Sequence, residues 1–257
     1  MAFPDNDCLQ CSVRDGQAWL TLNRPQAANA IDTAMIVALR DRLQDITARK
    51  DIQVIVLQGE GRGFCAGGDL SAFGDKMDRI DVEVGKFLAI AHEALLLLEE
   101  APQITISSVQ GFAAGAGMSL ALMADFCIMA DDAQFIPTYP QIGLTPDLGG
   151  TYAAMKRLSY SQALKFLLLH DRVSAPEALA MGTITEVVPA AELGARVEAV
   201  ANRLAGLGRN VVHGTKRLLN GARNTGLEMQ LDLELFQLRD GFQSDAFKSA
   251  VARRSRT

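Results

Sequence analysis

In GLTPDLGGTY, residues 143–152, one carboxylate, Asp147, stands between Pro146 and the Gly149-Gly150 pair. An acid on so tight a bend has two uses. It can exchange a proton with a ligand, or it can cap the helix that opens at the glycines. Two further stretches are glycine-rich, GEGRGFCAGGDL (59–70) and GFAAGAGMSLA (111–121). Neither fits the dinucleotide pattern G-x-G-x-x-G, because Phe64 and Leu120 stand where the third glycine would be. A phosphate-binding G-x-x-x-x-G-K-[ST] loop and a G-x-S-x-G nucleophile elbow are both missing from the sequence. What remains for the glycines is close packing, or exposure of backbone N–H groups to a ligand oxygen. Two loops that each leave a strand can aim one N–H apiece at a single point. That arrangement is an oxyanion hole, suited to a carbonyl that gains negative charge.

The elements around these stretches alternate in type. Residues 9–22 predict a hairpin turning at Asp15-Gly16. Apolar residues at helical spacing predict a helix over 33–50, with Asp32 or Thr33 as its cap. VIVLQG (54–59) is short and continuously apolar, as in a sheet covered on both faces; ITISSV (104–109) follows as a strand, and DFCIMA (125–130) is another buried one. A long helix ends near Glu100, and the second glycine loop opens another. From Ser159 onward helices dominate, SAPE (174–177) is a capping box, and TITEVV (183–188) is the last strand. The expected class is α/β, with a core over 1–190 and a helical segment over 191–257.

Composition narrows the partners. The chain has 257 residues, 49% hydrophobic and 21% charged, with net charge −5 and pI near 5.3. No basic stripe suggests nucleic acid, although an anion can still bind at a local site. No apolar run approaches the ~20 residues of a membrane span, and MAFPDNDCLQ lacks the features of a secretory signal. Four scattered cysteines and three histidines suggest neither a disulfide scaffold nor a metal centre, and Cys8 and Cys11 are two incidental thiols. A cytoplasmic protein is expected.

LNRPQAANAID (22–32), GRGFCAGGDL (61–70), VQGFAAGAGMSLALMADFCIMADDAQF (109–135) and IGLTPDLGGT (142–151) resemble the four signature segments of the crotonase, or enoyl-CoA hydratase/isomerase, superfamily. Their order and spacing match over roughly residues 10–190. The resemblance implies a spiral of β-β-α turns, a helical C-terminal segment and a homotrimer or hexamer. It also implies an acyl-CoA thioester ligand, with coenzyme A as part of the substrate and no separate cofactor.

Carried over by position, the resemblance assigns the oxyanion N–H groups to Gly68 and Ala116. It places Ala66 and Leu70 at the adenine pocket, and Arg24 near the CoA phosphates, where a plain surface arginine is the other reading. The hydratases of the family use two glutamates, and here those positions hold Ser119 and Tyr139. They would line the substrate, but neither replaces a glutamate in activating water. Asp147 matches the acid/base aspartate of some isomerases, and GLTPDLGGT looks most like the ring-1,2-epoxyphenylacetyl-CoA isomerase branch. His92 matches a histidine base of 4-chlorobenzoyl-CoA dehalogenases, in which the matching aspartate is a nucleophile. An isomerase that shifts a double bond or rearranges a ring is therefore expected. The alternatives are dehalogenase-like aryl-CoA hydrolysis and a non-catalytic acyl-CoA- or RNA-binding relative. At the C-terminus Phe247, Lys248 and Arg253 are present, but Ser249-Ala250 replaces the family's glutamate-glycine pair.

Overall fold

The computed structural model describes residues 7–254; residues 1–6, where most of the stretch inspected for a signal lies, are outside the described residues. Strands β1 (Leu9–Arg14) and β2 (Gln17–Leu22) form the expected antiparallel hairpin. Its two turn residues, Asp15 and Gly16, lie at φ 50° and 74°, the left-handed pair that matches hairpin twist. Helix α1 (Thr33–Thr47) starts where the Asp32 carboxylate accepts from the Met35 N–H at 2.8 Å. Its buried residues Met35, Ile36, Leu39, Leu43 and Ile46 follow helical spacing. Then come β3 (Val54–Gly59), α2 (Ile80–Glu100), β4 (Ile104–Val109), β5 (Phe112–Ala114), α3 (Ala116–Met123), β6 (Phe126–Ala130) and β7 (Gln134–Ile136). Beyond them lie α4 (Gly150–Arg157), α5 (Tyr160–Leu168), β8 (Val173–Ser174), α6 (Ala175–Met181) and β9 (Glu186–Val188). Helices α7 (Leu193–Ala205), α8 (Arg209–Ala222), α9 (Leu227–Phe242) and α10 (Asp245–Arg254) finish the chain.

The strands form two sheets. The larger has the order β1-β2-β3-β4-β6-β9, parallel everywhere except the opening hairpin. The smaller has the order β5-β7-β8. After β4 the chain steps into the smaller sheet as β5 and then into α3; after β6 it steps into β7. After β3, Cys65 bridges to Ala113 beside the smaller sheet before the chain enters α2. Large sheet, small sheet, helix is the repeating β-β-α turn of a crotonase spiral.

The small sheet is what the sequence reading did not contain. Its strands are two or three residues long, too short to show any periodicity. The stretch expected as a strand over 183–188 pairs only over Glu186–Val188, because Thr183 instead closes the end of α6 through bonds to Ala178 O.

Helix α3 is buried along all eight of its residues, so even its one hydroxyl, Ser119, lies inside. Helix α7 places Leu193, Val197 and Ala201 in the same apolar cluster as the large sheet. Lys216 on α8 is buried and ties that helix to the sheet, donating to Asp125 Oδ2 at 2.7 Å and Gln103 O at 2.9 Å. Among the described residues no helix is long and apolar enough to cross a membrane.

Candidate active site

The first glycine loop is clamped from both sides. The Phe64 N–H donates to Phe112 O at 2.9 Å and the Ala66 N–H to Ala28 O at 3.0 Å. Ile31 then pairs with the loop, donating to Gly67 O at 2.7 Å and accepting from the Asp69 N–H at 3.0 Å. Because extended backbone alternates direction, the Gly68 N–H between those two groups is turned away from Ile31. A β-carbon on Gly67, at φ 102°, would come within 2.9 Å of Ala114 O and 3.4 Å of Ala116 N, so only glycine lets the loops approach this closely.

The other N–H that the resemblance assigns belongs to Ala116, the first residue of α3. The first turn closes with Ser119 N donating to Gly115 O at 3.0 Å, leaving the Ala116 N–H outside the helix's own ladder. Among the described residues, nothing accepts from Gly68 N or Ala116 N. The helix N-terminus adds partial positive charge at the same place.

Two residues that sequence reasoning passed over hold this frame. Asn29, fully buried, donates to Glu60 O and Gly63 O at 2.8 and 3.0 Å and accepts from Arg24 N at 2.9 Å. Cys65 lies between the loops, its thiol donating to Asn29 O at 3.1 Å and accepting from Gly67 N at 3.4 Å. Burial pushes that thiol up to about 12, so it keeps the proton it donates. The asparagine was visible in the motif LNRPQAANAID, but nothing local marks it as a clamp; its acceptors lie 31 and 34 residues away.

Asp147 sits on a turn closed by Gly150 N donating to Asp147 O at 2.9 Å. The central residues Leu148 and Gly149 have φ 44° and 73°. A buried leucine in that region is strained, and such strain concentrates at sites whose geometry the surroundings impose. Helix α4 begins at Gly150 with Gly149 as its cap and no side-chain capping bond, so capping is not the task of Asp147. Its Oδ1 instead accepts from the Tyr139 hydroxyl at 2.5 Å. The Tyr139 oxygen lies 3.1 Å from Ser119 Oγ. Since the single phenolic proton points to Asp147, the serine must be the donor in that second bond. The turn can rest on α3 because position 150 lacks a side chain: a β-carbon there would lie 2.4 Å from Ser119 Oγ.

Burial raises the Asp147 pKa above the usual carboxylate value, against the lowering effects of the Tyr139 donor, the backbone and the charge of His92. The Tyr139 phenol is raised as well, by burial first and then by the Asp147 charge, so the shared proton stays on the tyrosine.

The other expected residues fall in different places. Ala66 and Leu70 are exposed at the edge of the first loop. The Arg24 guanidinium is engaged within the protein, by Asp69 at 3.0 Å, Asp32 at 3.3 Å and the Ala30 carbonyl. It braces the loop and the cap of α1. His92 is exposed on α2 and shares no hydrogen bond with Asp147. Ser119 and Tyr139, expected along the substrate, are buried and joined to Asp147. Among the described residues no group of three or more His, Cys, Asp or Glu could hold a metal ion.

The family model for enoyl-CoA hydratase/isomerase matches residues 13–255. The 1,2-epoxyphenylacetyl-CoA isomerase of Escherichia coli (strain K12) is 32% identical over 246 residues, 93% of this chain and 92% of its own. The crotonyl-CoA hydratase of Syntrophomonas wolfei subsp. wolfei is 29% identical over 231 residues, 90% of this chain and 84% of its own. A Thermobifida fusca YX protein solved in complex with acetoacetyl-CoA superposes with a TM-score of 0.84 at 29% identity, over 92% of this chain and 95% of that one. The motifs, the spiral and these matches agree, and the chain belongs to the enoyl-CoA hydratase/isomerase family, the crotonase superfamily.

Proposed function

We propose that the protein is an acyl-CoA isomerase that shifts a double bond, or rearranges a strained ring, through an enolate held by two backbone N–H groups and one aspartate. The observation that carries this reading is the identity of the acid. By the resemblance Ser119 and Tyr139 stand at the hydratase glutamate positions; Asp69 is paired with Arg24, and Asp147 accepts from Tyr139 and makes no salt bridge among the described residues. Its raised pKa makes it a stronger base once ionised.

The steps balance with one proton. The thioester oxygen is held by the N–H groups of Gly68 and Ala116. Asp147 takes the α-proton of a β,γ-unsaturated acyl chain, and the C–H electron pair moves into a dienolate whose charge rests on that oxygen. The electrons return through the γ-carbon, which receives the same proton, and the double bond finishes conjugated. Nothing is added or lost. Coenzyme A belongs to the substrate, and no separate cofactor enters. The exposed Ala66 and Leu70 suit the adenine end, and the acetoacetyl-CoA of the Thermobifida fusca relative supports a thioester ligand.

A second reading has one observation in its favour. The charge of His92 is felt at Asp147, which would suit a nucleophilic aspartate with a histidine base acting on an aryl-CoA. Two assays separate the cases. Vinylacetyl-CoA should convert to crotonyl-CoA without change of mass, and His92→Ala should leave that conversion intact. Chloride release from a chlorobenzoyl-CoA that disappears in His92→Ala would support the second reading. Hydration of crotonyl-CoA at around 10 per second or more would contradict both.

A further inference from the structure

Ser119, Tyr139 and Asp147 come from three different elements: α3, the segment after β7, and the turn before α4. They form one line of hydrogen bonds, Ser119 to Tyr139 at 3.1 Å and Tyr139 to Asp147 Oδ1 at 2.5 Å. No other side chain of the described residues hydrogen-bonds to the carboxylate. Tyr139 is 4% exposed and Ser119 is 0% exposed, so the line ends inside the protein.

We propose that Tyr139 is the positioning residue of Asp147: its hydroxyl, held in turn by Ser119, fixes Oδ1 and leaves Oδ2 as the one oxygen that exchanges a proton with the ligand. This rests on the reading of Asp147 as the acid/base. A carboxylate free to rotate offers two equivalent oxygens and must be ordered at each turnover; one pinned by a short bond presents a single oxygen in one direction. Proton counting gives the second consequence. Tyr139 keeps its proton toward Oδ1 and Ser119 keeps its own toward Tyr139, so neither hydroxyl can pass the ligand's proton to solvent. The proton taken by Oδ2 has to return from Oδ2.

Burial and the tyrosine act on Asp147 in opposite directions, the first raising its pKa and the second lowering it. Removing the phenolic hydroxyl should therefore move the titration of Asp147 upward, a sign that lost packing alone does not dictate. Carbonyl-13C labelling of aspartate, with Asp147 assigned by its loss in Asp147→Asn, follows that titration without reference to turnover. In Tyr139→Phe it should move up by about one pH unit, the size expected for one hydrogen bond to a charged group. The acid limb of kcat/KM for vinylacetyl-CoA should move with it, and kcat should fall about tenfold or more while KM stays within about twofold. Ser119→Ala should shift the titration the same way by less, because it weakens the donor rather than removing it.

An unmoved Asp147 titration in Tyr139→Phe would overturn the proposal whatever the turnover. If Tyr139→Phe does not fold, Ser119→Ala decides, and an unmoved titration with unmoved kcat overturns it. A wild-type protein inert toward vinylacetyl-CoA, yet showing the titration shift, would instead overturn the isomerase reading and leave the positioning contact standing.

Discussion

At the scale of single residues, Asp147 carries two oxygens with different neighbours, and its acidity follows from that setting. Burial holds its pKa above 3.8, and the folded protein carries a cost when the group ionises. The sign follows: for an acid raised on folding, the stability present below its ordinary value is lost as pH rises through the folded value. Asp147→Asn, which never ionises, should thus match the wild type in acid and be the more stable of the two at pH 7, as thermal melts at both pH values would show. The same shift predicts that isomerisation fails on the acid side at a pH above 3.8, because the base must be ionised to work; a pH profile of kcat/KM checks this. The aspartate itself was legible in PDLGG. Its partnership with Tyr139 and Ser119 was not, because side chains 8 and 28 positions away meet only once α3 and the turn before α4 are packed together. Arg24 was legible only as a motif position, and its hold on Asp69, Asp32 and the Ala30 carbonyl appears once those segments are folded together.

At the scale of elements, the site depends on how closely backbones approach. Gly150 permits the turn before α4 to rest on Ser119, and a methyl group there meets the serine oxygen at 2.4 Å. Gly150→Ala should cost about 1–3 kcal/mol, as overpacking in a filled interior does, and should lower isomerisation by disturbing the Ser119–Tyr139–Asp147 line. Denaturant melts and vinylacetyl-CoA turnover would show the two losses together. Strands β3, β4 and β6 were readable as short buried runs, and helices α1 and α2 because each buries a face at helical spacing. The smaller sheet was not readable. Its register comes from the packing of the spiral, as at the Cys65–Ala113 bridge, which neither segment specifies alone.

For the whole molecule, the helices that follow α7 leave much apolar surface open. Leu227, Met229, Leu231, Phe236 and Phe242 on α9, with Phe247 on α10, are each more than 40% exposed. We propose that other copies of the chain cover these exposed apolar side chains. A homotrimer, or a hexamer built from two, is the assembly expected, and sedimentation velocity at micromolar concentration should show no stable monomer. Changing Leu231 and Phe236 together to Ser should release the monomer. That these residues form helices was plain from the sequence. That they are uncovered could be seen only with the rest of the chain folded beside them.

The central claim is that one aspartate carries the proton, and Asp147→Asn tests it most directly. Asparagine keeps the size of the side chain and can still accept from Tyr139, but it cannot take up the ligand's proton. Vinylacetyl-CoA isomerisation should fall by at least ~10²-fold, the lower end of what general acid–base catalysis contributes, while the Kd for crotonyl-CoA changes little. An Asp147→Asn protein that isomerises vinylacetyl-CoA at the wild-type rate would contradict the account.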